Sequence, residues 1–391
     1  MIVASVGVGS DVDAHKAGAE ACTQALSGLP ERKASILFVF GSVTYDQDKL
    51  IEGVTAMAPG VYIFGCSTAG EISSEGFSSE KSIVVLAVYS DTVKFWGALG
   101  NHLIWNSKQA GEELANKLEY NSHGYVTSAL LFLDIIAGNG DDALKGVIER
   151  LGNNFPIFGG AASDDMLFYE TFQYLENKVY TGSVVGLGMS GDYTAAGVAM
   201  HGFLPIGIER YVTKSEGTTL FELDGKPAAS IYEEYFGEEH VSELHEGLLP
   251  MLAVSYPLGI FLPESNEVVL RHPVFVDQKG AMTFTAPIPN GAEVRLMISD
   301  IERGLEVAEL TARGALEKLG GKKPKAAIIV NSVARRKMLG IRADEEIETI
   351  QRVIGRDVPM VGFYSYAQIG GKIGEETPFH NGSLLVWLLA E

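Results

Sequence analysis

The chain has 391 residues, 46% of them apolar, and a formal net charge of −20. That apolar content excludes a disordered chain, and no run approaches the roughly 20 apolar residues of a membrane-spanning helix. The acidic balance argues against nucleic-acid phosphates as a main partner and suits solubility instead. Cys22 and Cys66 make no disulfide framework. Met1 to Ser10 lacks the basic residues of a secretory leader and reads as a strand. These features point to a soluble, cytoplasmic protein of two or more domains.

In chain order, a strand over Ile2 to Val8 precedes a helix from Asp13 to Leu26. A strand over Ser35 to Phe40, a helical stretch, a strand from Val61 to Gly65 and an apolar run from Ile83 to Tyr89 follow. The same order then recurs. Val93 to Leu99 leads to a helix over Lys108 to Leu118, a strand over Ser128 to Leu133, a second helical stretch, a strand over Asn154 to Gly159 and a run over Val184 to Met189. Leu37 to Gly65 and Leu131 to Gly159 both span 28 residues. A third copy is expected from Val294 to Ile298, a helix over Ile301 to Leu319, strands at Ala327 to Val330 and Pro359 to Gly362, and a run over Leu384 to Leu389. Self-similarity at fixed spacing is the signature of a repeated supersecondary unit.

The segment from about Thr213 to Pro289 fits no copy. Asp224-Gly225 signals a turn, and Pro227 opens a helix reaching about Phe236. The expected fold class is α/β, with mixed sheets flanked by helices. Three strand-helix-strand-helix-strand-strand pseudo-repeats build it, with an α+β insertion before the third. A boundary is expected near residue 220.

In each copy an apolar strand ends at a glycine followed by small or polar residues. Such residues let a ligand reach the main chain at a strand end. Three of them suggest one composite pocket and a binding function rather than an enzyme. Cys66, Ser67 and Thr68 follow Gly65, where N–H groups and hydroxyls suit a carboxylate or other anion. Gly159 and Gly160 end the second strand, and Asp164 offers a carboxylate for an amine. Arg271, in an apolar strand, suits a ligand carboxylate. Tyr364 offers a stacking face. His201 and His380 are the histidines best placed to ligate a haem iron, although no Cys-x-x-Cys-His attachment motif exists. Gly65-Cys66-Ser67-Thr68-Ala69 lacks the second glycine of a nucleophile elbow.

These residues carry a resemblance. Phe64 to Ile72 and Pro156 to Asp164 resemble the N-terminal half of the FIST sensory domain. Val269-Leu270-Arg271 with Pro273, Asn331 to Arg336, Gly362 to Tyr366 and Phe379 to Leu384 resemble its C-terminal half. On that resemblance, residues 1–220 are a FIST N-terminal-like domain with two pseudo-repeats. Residues 221–391 are a FIST C-terminal-like domain holding the insertion and the third. Two positions depart from the family pattern: Ser332 stands where a cysteine is expected, and Ala367-Gln368 where Gly-Glu is expected.

The resemblance implies a sensor of small ligands, amino acids among them. No output segment is left over, so the signal is expected to pass in trans to a kinase, chemotaxis or cyclic-dinucleotide protein. The expected ligand is an amino acid or similar polar metabolite in a cleft between the halves. Its site would comprise Cys66, Ser67, Thr68, Gly159, Gly160, Asp164, Arg271, Arg335, Tyr364, His380 and Asn381. No cofactor or metal is expected. Two alternatives stand beside this: a haem-based nitric oxide sensor, as some relatives are, and a hydrolase with Cys66 or Ser67 as nucleophile and His380 as base.

Overall fold

The computed structural model describes residues 1–75, 81–237, 251–261, 268–371 and 379–391. Helices begin where the sequence supplies a cap. Asp13, Asp46, Asn106, Asn139 and Asp300 each accept a main-chain N–H of the first turn of the helices Ala14–Ser27, Gln47–Met57, Ser107–Asn121, Gly140–Leu151 and Ile301–Lys318. Strands form from runs that are apolar on both faces. In Ile36–Ser42, Ile36, Phe38 and Phe40 point into a central core, while Leu37 and Val39 pack under the helices Ala14–Ser27 and Gln47–Met57. That two-sided burial is why the run shows no polar alternation.

The first sheet pairs Ile2–Gly9 with Ile83–Ser90, then Ile36–Ser42, then Tyr62–Thr68. The second has the same order: Val93–Gly100, Val184–Gly191, Ser128–Leu133 and Ile157–Ala161. The third reads Thr194–Met200, Leu384–Ala390, Ala326–Ser332 and Met360–Ser365. In each of these three sheets the two middle strands of the chain order are parallel and the last strand is antiparallel to its neighbours.

One expectation needs correction. The edge strand of the third sheet is Thr194–Met200, not Val294 to Ile298. The segment Glu293–Ile298 instead pairs with Leu204–Glu216 and Leu258–Phe261 in a fourth sheet. The insertion therefore lies inside the third unit, between its first strand and the helix Ile301–Lys318, rather than before it. Chain adjacency to that helix suggested Val294 to Ile298, whereas the pairing partner lies about a hundred residues earlier. Leu204–Glu216 and Thr219–Leu223 pair as neighbours in that fourth sheet.

Short strands link the three sheets in a ring. Glu71–Ser73, from the first unit, pairs with Met360–Ser365 of the third sheet. Gln173–Leu175, from the second unit, pairs with Tyr62–Thr68 of the first. Gln368–Ile369, from the third, pairs with Ile157–Ala161 of the second. Between the sheets lies one apolar cluster fed by all three. Its centre is a set of rings: Phe40 stacks on Phe363 at 4.7 Å, Phe64 stacks on Phe132 at 4.8 Å, and Phe132 meets Phe40 and Phe363 edge-on.

The outer helices touch through glycine. Gly18 and Gly53 mark one crossing and Gly111 and Gly146 the other, each pair 35 residues apart. A Cβ on Gly53 would lie 2.1 Å from the His15 carbonyl oxygen, and one on Gly146 2.1 Å from that of Lys108. Helix propensity alone favours alanine over glycine by about 1 kcal/mol. The backbone contact reverses that sign, because overpacking costs about 1–3 kcal/mol. Gly53→Ala is expected to lower the urea midpoint, and a raised midpoint would show that the helices do not meet there.

Candidate functional site

The three strand ends that the sequence marks do gather at one place, but they satisfy one another. The Ser163 N–H donates to the Ser67 carbonyl at 3.2 Å, and the Ser67 hydroxyl donates to the Ser163 carbonyl at 3.1 Å. The Ser163 hydroxyl donates to the Tyr364 carbonyl at 2.6 Å and accepts the Ala69 N–H at 2.9 Å. The Tyr364 N–H in turn donates to the Gly70 carbonyl at 2.9 Å. The glycines serve this closeness. A Cβ on Gly65, Gly159 or Gly362 would lie 1.7, 1.9 or 2.1 Å from the carbonyl oxygen of Val39, Leu131 or Ile329 on the adjacent parallel strand. What approaches these glycines is backbone, not ligand.

Most of the expected site residues are thereby engaged. Cys66 is fully buried in the central cluster, and burial pushes its thiol well above the usual range, which removes it as a nucleophile. The Ser67 hydroxyl also accepts the Phe172 N–H at 3.0 Å, and Thr68 donates to the buried Glu71 carboxylate. Gly160 faces the Ala367 carbonyl and Val330. Arg335 is wholly buried and ion-paired with Glu346, and also donates to the carbonyls of His201 and Gly304. Tyr364 packs beneath the Arg336 guanidinium at 4.9 Å. Arg271 donates to the Leu270 and Phe379 carbonyls at 2.9 and 3.1 Å, and burial lowers its pKa to about 10. The expected convergence of Cys66, Ser67, Thr68 and Asp164 with Arg271, Tyr364 and His380 around an amino acid is not what these contacts build.

Asp164 instead organises a loop. Its carboxylate accepts the N–H groups of Phe168, Tyr169 and Glu170 at 3.0, 2.6 and 3.0 Å, and the Tyr366 hydroxyl. Asp165, Met166 and Phe168 take left-handed φ values of 57°, 64° and 51°. Non-glycine residues hold such values only where the surroundings over-determine them. The Phe168 ring lies flat on Tyr366 at 4.6 Å.

Beside this loop lies a small cavity of about 40 Å³ that opens to solvent. Met166 and Phe168 line it from the loop, and Ser365 and Tyr366 from the end of Met360–Ser365. His272 and Asn381 line it as well. Ser332 stands at the mouth of the short helix Val333–Leu339, where its hydroxyl accepts the Ala334 N–H at 3.1 Å. Asn381 alone among the expected site residues lines it. Sequence reasoning missed His272, although His272-Pro273 interrupts an otherwise apolar run.

Two buried polar atoms on these residues have no protein partner: His272 Nε2 and Asn381 Oδ1. His272 Nδ1 lies 3.2 Å from the Ala253 carbonyl, and Asn381 Nδ2 donates to Thr285 Oγ1 at 3.1 Å and to the Tyr366 carbonyl at 3.0 Å. Both atoms are sealed from solvent, and His272 Nε2 lies against Gly382, where a Cβ would be 2.7 Å from it. Haem does not fit the residues present. His201 has both ring nitrogens occupied, by the Val268 carbonyl and the Phe203 N–H. His380 does not line the cavity, and no Lys or Arg lines it to meet the two porphyrin carboxylates. Among the described residues no cluster of three or more His, Cys, Asp or Glu forms a metal site.

A family model described as FIST N domain matches residues 35–226, and one described as FIST C domain matches residues 228–371. The chain belongs to the FIST family. FIST domains are signal-transduction sensor domains. An uncharacterized protein of Methanocaldococcus jannaschii is 26% identical over 68% of this chain and 55% of its own length. One of Mycobacterium bovis is 25% identical over 57% of this chain and 58% of its own length. The FIST chain thus spans little more than half the length of these relatives. An uncharacterized protein of Mycobacterium tuberculosis is 21% identical over 94% of this chain and 95% of its own length. Among solved structures, a cyanuric acid hydrolase from A. caulinodans matches with a TM-score of 0.37 and 9% identity, covering 100% of this chain and 99% of that one. At that TM-score the likeness carries no argument about chemistry. Among the described residues, no helix of the FIST chain is long and apolar enough to cross a membrane.

In this FIST cavity, both halves of the family contribute: Met166 and Phe168 lie in the N domain, and His272, Ser332 and Tyr366 in the C domain. Burial lowers the pKa of His272 to about 4, with the Arg271 charge adding to it, and lowers those of His201 and His380 to about 4 as well. Each folded value lies below the ordinary 6.5, so unfolded chains bind protons that the folded state refuses. The stability gained from neutral imidazoles is complete above pH 6.5 and is lost as pH falls toward about 4. The ring resonances of His201, His272 and His380 are expected to keep their neutral positions down to about pH 5. A His272 midpoint near 6.5 would contradict its burial.

Proposed function

We propose that this FIST protein is a small-ligand sensor in signal transduction, with its ligand in the cavity between Phe168, Tyr366, His272 and Asn381. One observation carries the reading. A cavity walled by both family halves opens to solvent beside the stacked rings of Phe168 and Tyr366. Neither half alone completes it, so a ligand there is sensitive to how the halves sit.

The loop held by Asp164 supplies a route outward. Its inner residues Met166 and Phe168 line the cavity, while Leu167 and Tyr169 are 64% and 84% exposed. A ligand that favours one arrangement of the inner side chains shifts the population of the outer ones. The reader of that change is a signalling protein in trans: a kinase, a chemotaxis protein or a cyclic-dinucleotide enzyme. The buried, protonated Cys66 and the engaged Ser67 hydroxyl favour binding over hydrolysis.

Thermal-shift screening of metabolites tests the site. A ligand at a hundredfold excess over its Kd stabilises the folded state by about 2.7 kcal/mol. Ala334→Phe and, separately, Val274→Phe fill the cavity and are expected to abolish the shift while the unliganded proteins still melt cooperatively. Equal stabilisation of wild type and both variants would remove the cavity as the site.

A further inference from the structure

We infer that the Asp164 loop is a closed strap, and that a ligand enters by parting the Phe168 ring from Tyr366 and laying a flat ring of its own between them. The inference rests on the cavity being the ligand site and adds how that site opens and what shape it takes.

The strap hangs from one fixed point. The Ser163 N–H donates to the Ser67 carbonyl at 3.2 Å, and the Ser67 N–H donates to the Phe172 carbonyl at 2.9 Å. The Ser67 hydroxyl joins the same two neighbours, donating to the Ser163 carbonyl at 3.1 Å and accepting the Phe172 N–H at 3.0 Å. Residues 164–171 thus leave and rejoin the sheets at a single serine, as in a compact surface loop whose ends meet. Movement between those ends pulls on no strand.

Within the strap a latch works against strain. The Asp164 carboxylate, buried, accepts three strap N–H groups and the Tyr366 hydroxyl. That hydroxyl also accepts the Met166 N–H at 2.7 Å. Against these bonds stand the left-handed backbones of Asp165, Met166 and Phe168, of which only the aspartate is a type that adopts them readily. Breaking the latch therefore releases backbone strain, and this brings an open form within reach of the closed one.

The cavity is that of the closed form. Small-molecule pockets run to about 300–1,000 Å³, whereas this one, at about 40 Å³, has room only for water. Phe168 is the wall that can give way. It lines the cavity, is only half-buried, and covers the Tyr366 ring at 4.6 Å and 11°. Ser332, Val333, Ala334 and Ser365 line it from the third sheet and its short helix, where they are buried and held. The ring that Phe168 lays on Tyr366 shows what that face accepts, a flat apolar group.

The probe is benzyl alcohol, with cyclohexylmethanol as the same skeleton without a flat ring. Binding is read from the Met166 methyl resonance, assigned by its loss in Met166→Leu. Opening is read from hydrogen exchange of the Phe168, Tyr169 and Glu170 amides. Tyr366→Phe keeps the flat face and removes the hydroxyl that joins Asp164 to Met166. It is expected to speed that exchange about fivefold and to tighten benzyl alcohol binding by the same factor, because apparent affinity scales with the fraction of open protein. In the wild type, saturating benzyl alcohol is expected to speed exchange in the strap rather than protect it. Cyclohexylmethanol is expected to bind about fivefold more weakly. Faster exchange in Tyr366→Phe with unchanged affinity would overturn the strap and leave the cavity as a ligand site. Slower exchange on binding would do the same, showing a wall that closes rather than parts. Unaltered exchange in Tyr366→Phe would overturn the latch, and equal affinity for the two alcohols would overturn the flat-ring preference. An unmoved Met166 resonance with both alcohols in both proteins would overturn this inference alone, since Ala334→Phe and Val274→Phe decide the cavity reading separately.

Discussion

Ser163 is the residue on which the arrangement of the sheets depends. Through its N–H, its hydroxyl and its carbonyl it joins Ser67, Ala69 and Tyr364, and so ties one strand end from each of the three sheets. Buried main-chain groups must be paired, and here the partner of each strand end is another strand end. The linking strands Glu71–Ser73, Gln173–Leu175 and Gln368–Ile369 carry the same logic outward, each sheet receiving an edge strand from a different unit. Closing the centre in this way leaves no room for a ligand at the glycine turns. Room appears one step further along, where Met360–Ser365 ends and Tyr366 meets the Asp164 loop.

Much of the fold was legible because it is local. Ile36–Ser42 and Ser128–Leu133 announce themselves as apolar runs. The make-up of the first two sheets, though not the order of their strands, follows from the 28-residue spacing and the common rule that sequential elements lie together. That rule misleads in the third sheet. Thr194–Met200 is built of small residues and pairs with Leu384–Ala390, almost the full length of the C-terminal half away. No local pattern encodes such a pairing.

The candidate site was legible only in part, and for a physical reason. Glycine at a strand end says that something comes close; it does not say what. At Gly65, Gly159 and Gly362 the close atom is a neighbouring carbonyl. Arginine in an apolar strand says that a charge is buried, and Arg335 shows how such a charge is met without a ligand: Glu346 pairs with it, and Asn331 holds the other carboxylate oxygen at 2.6 Å. Asn381 was found through its family motif, and only geometry reveals that its oxygen is the atom left over. His272 gave a single sign, a polar ring before proline in a strand-like run. The interior charges Arg335 and Glu346 are thus structural.

A crystal structure of the protein with a ligand found by thermal shift tests the central claim most directly. The account predicts ligand density in the cavity, against Phe168, Tyr366, His272 and Asn381. The bonds joining Ser67, Ser163 and Tyr364 should be unchanged. Density at Cys66 and Ser67, with the Ser67–Ser163 bonds broken to admit it, would contradict the account.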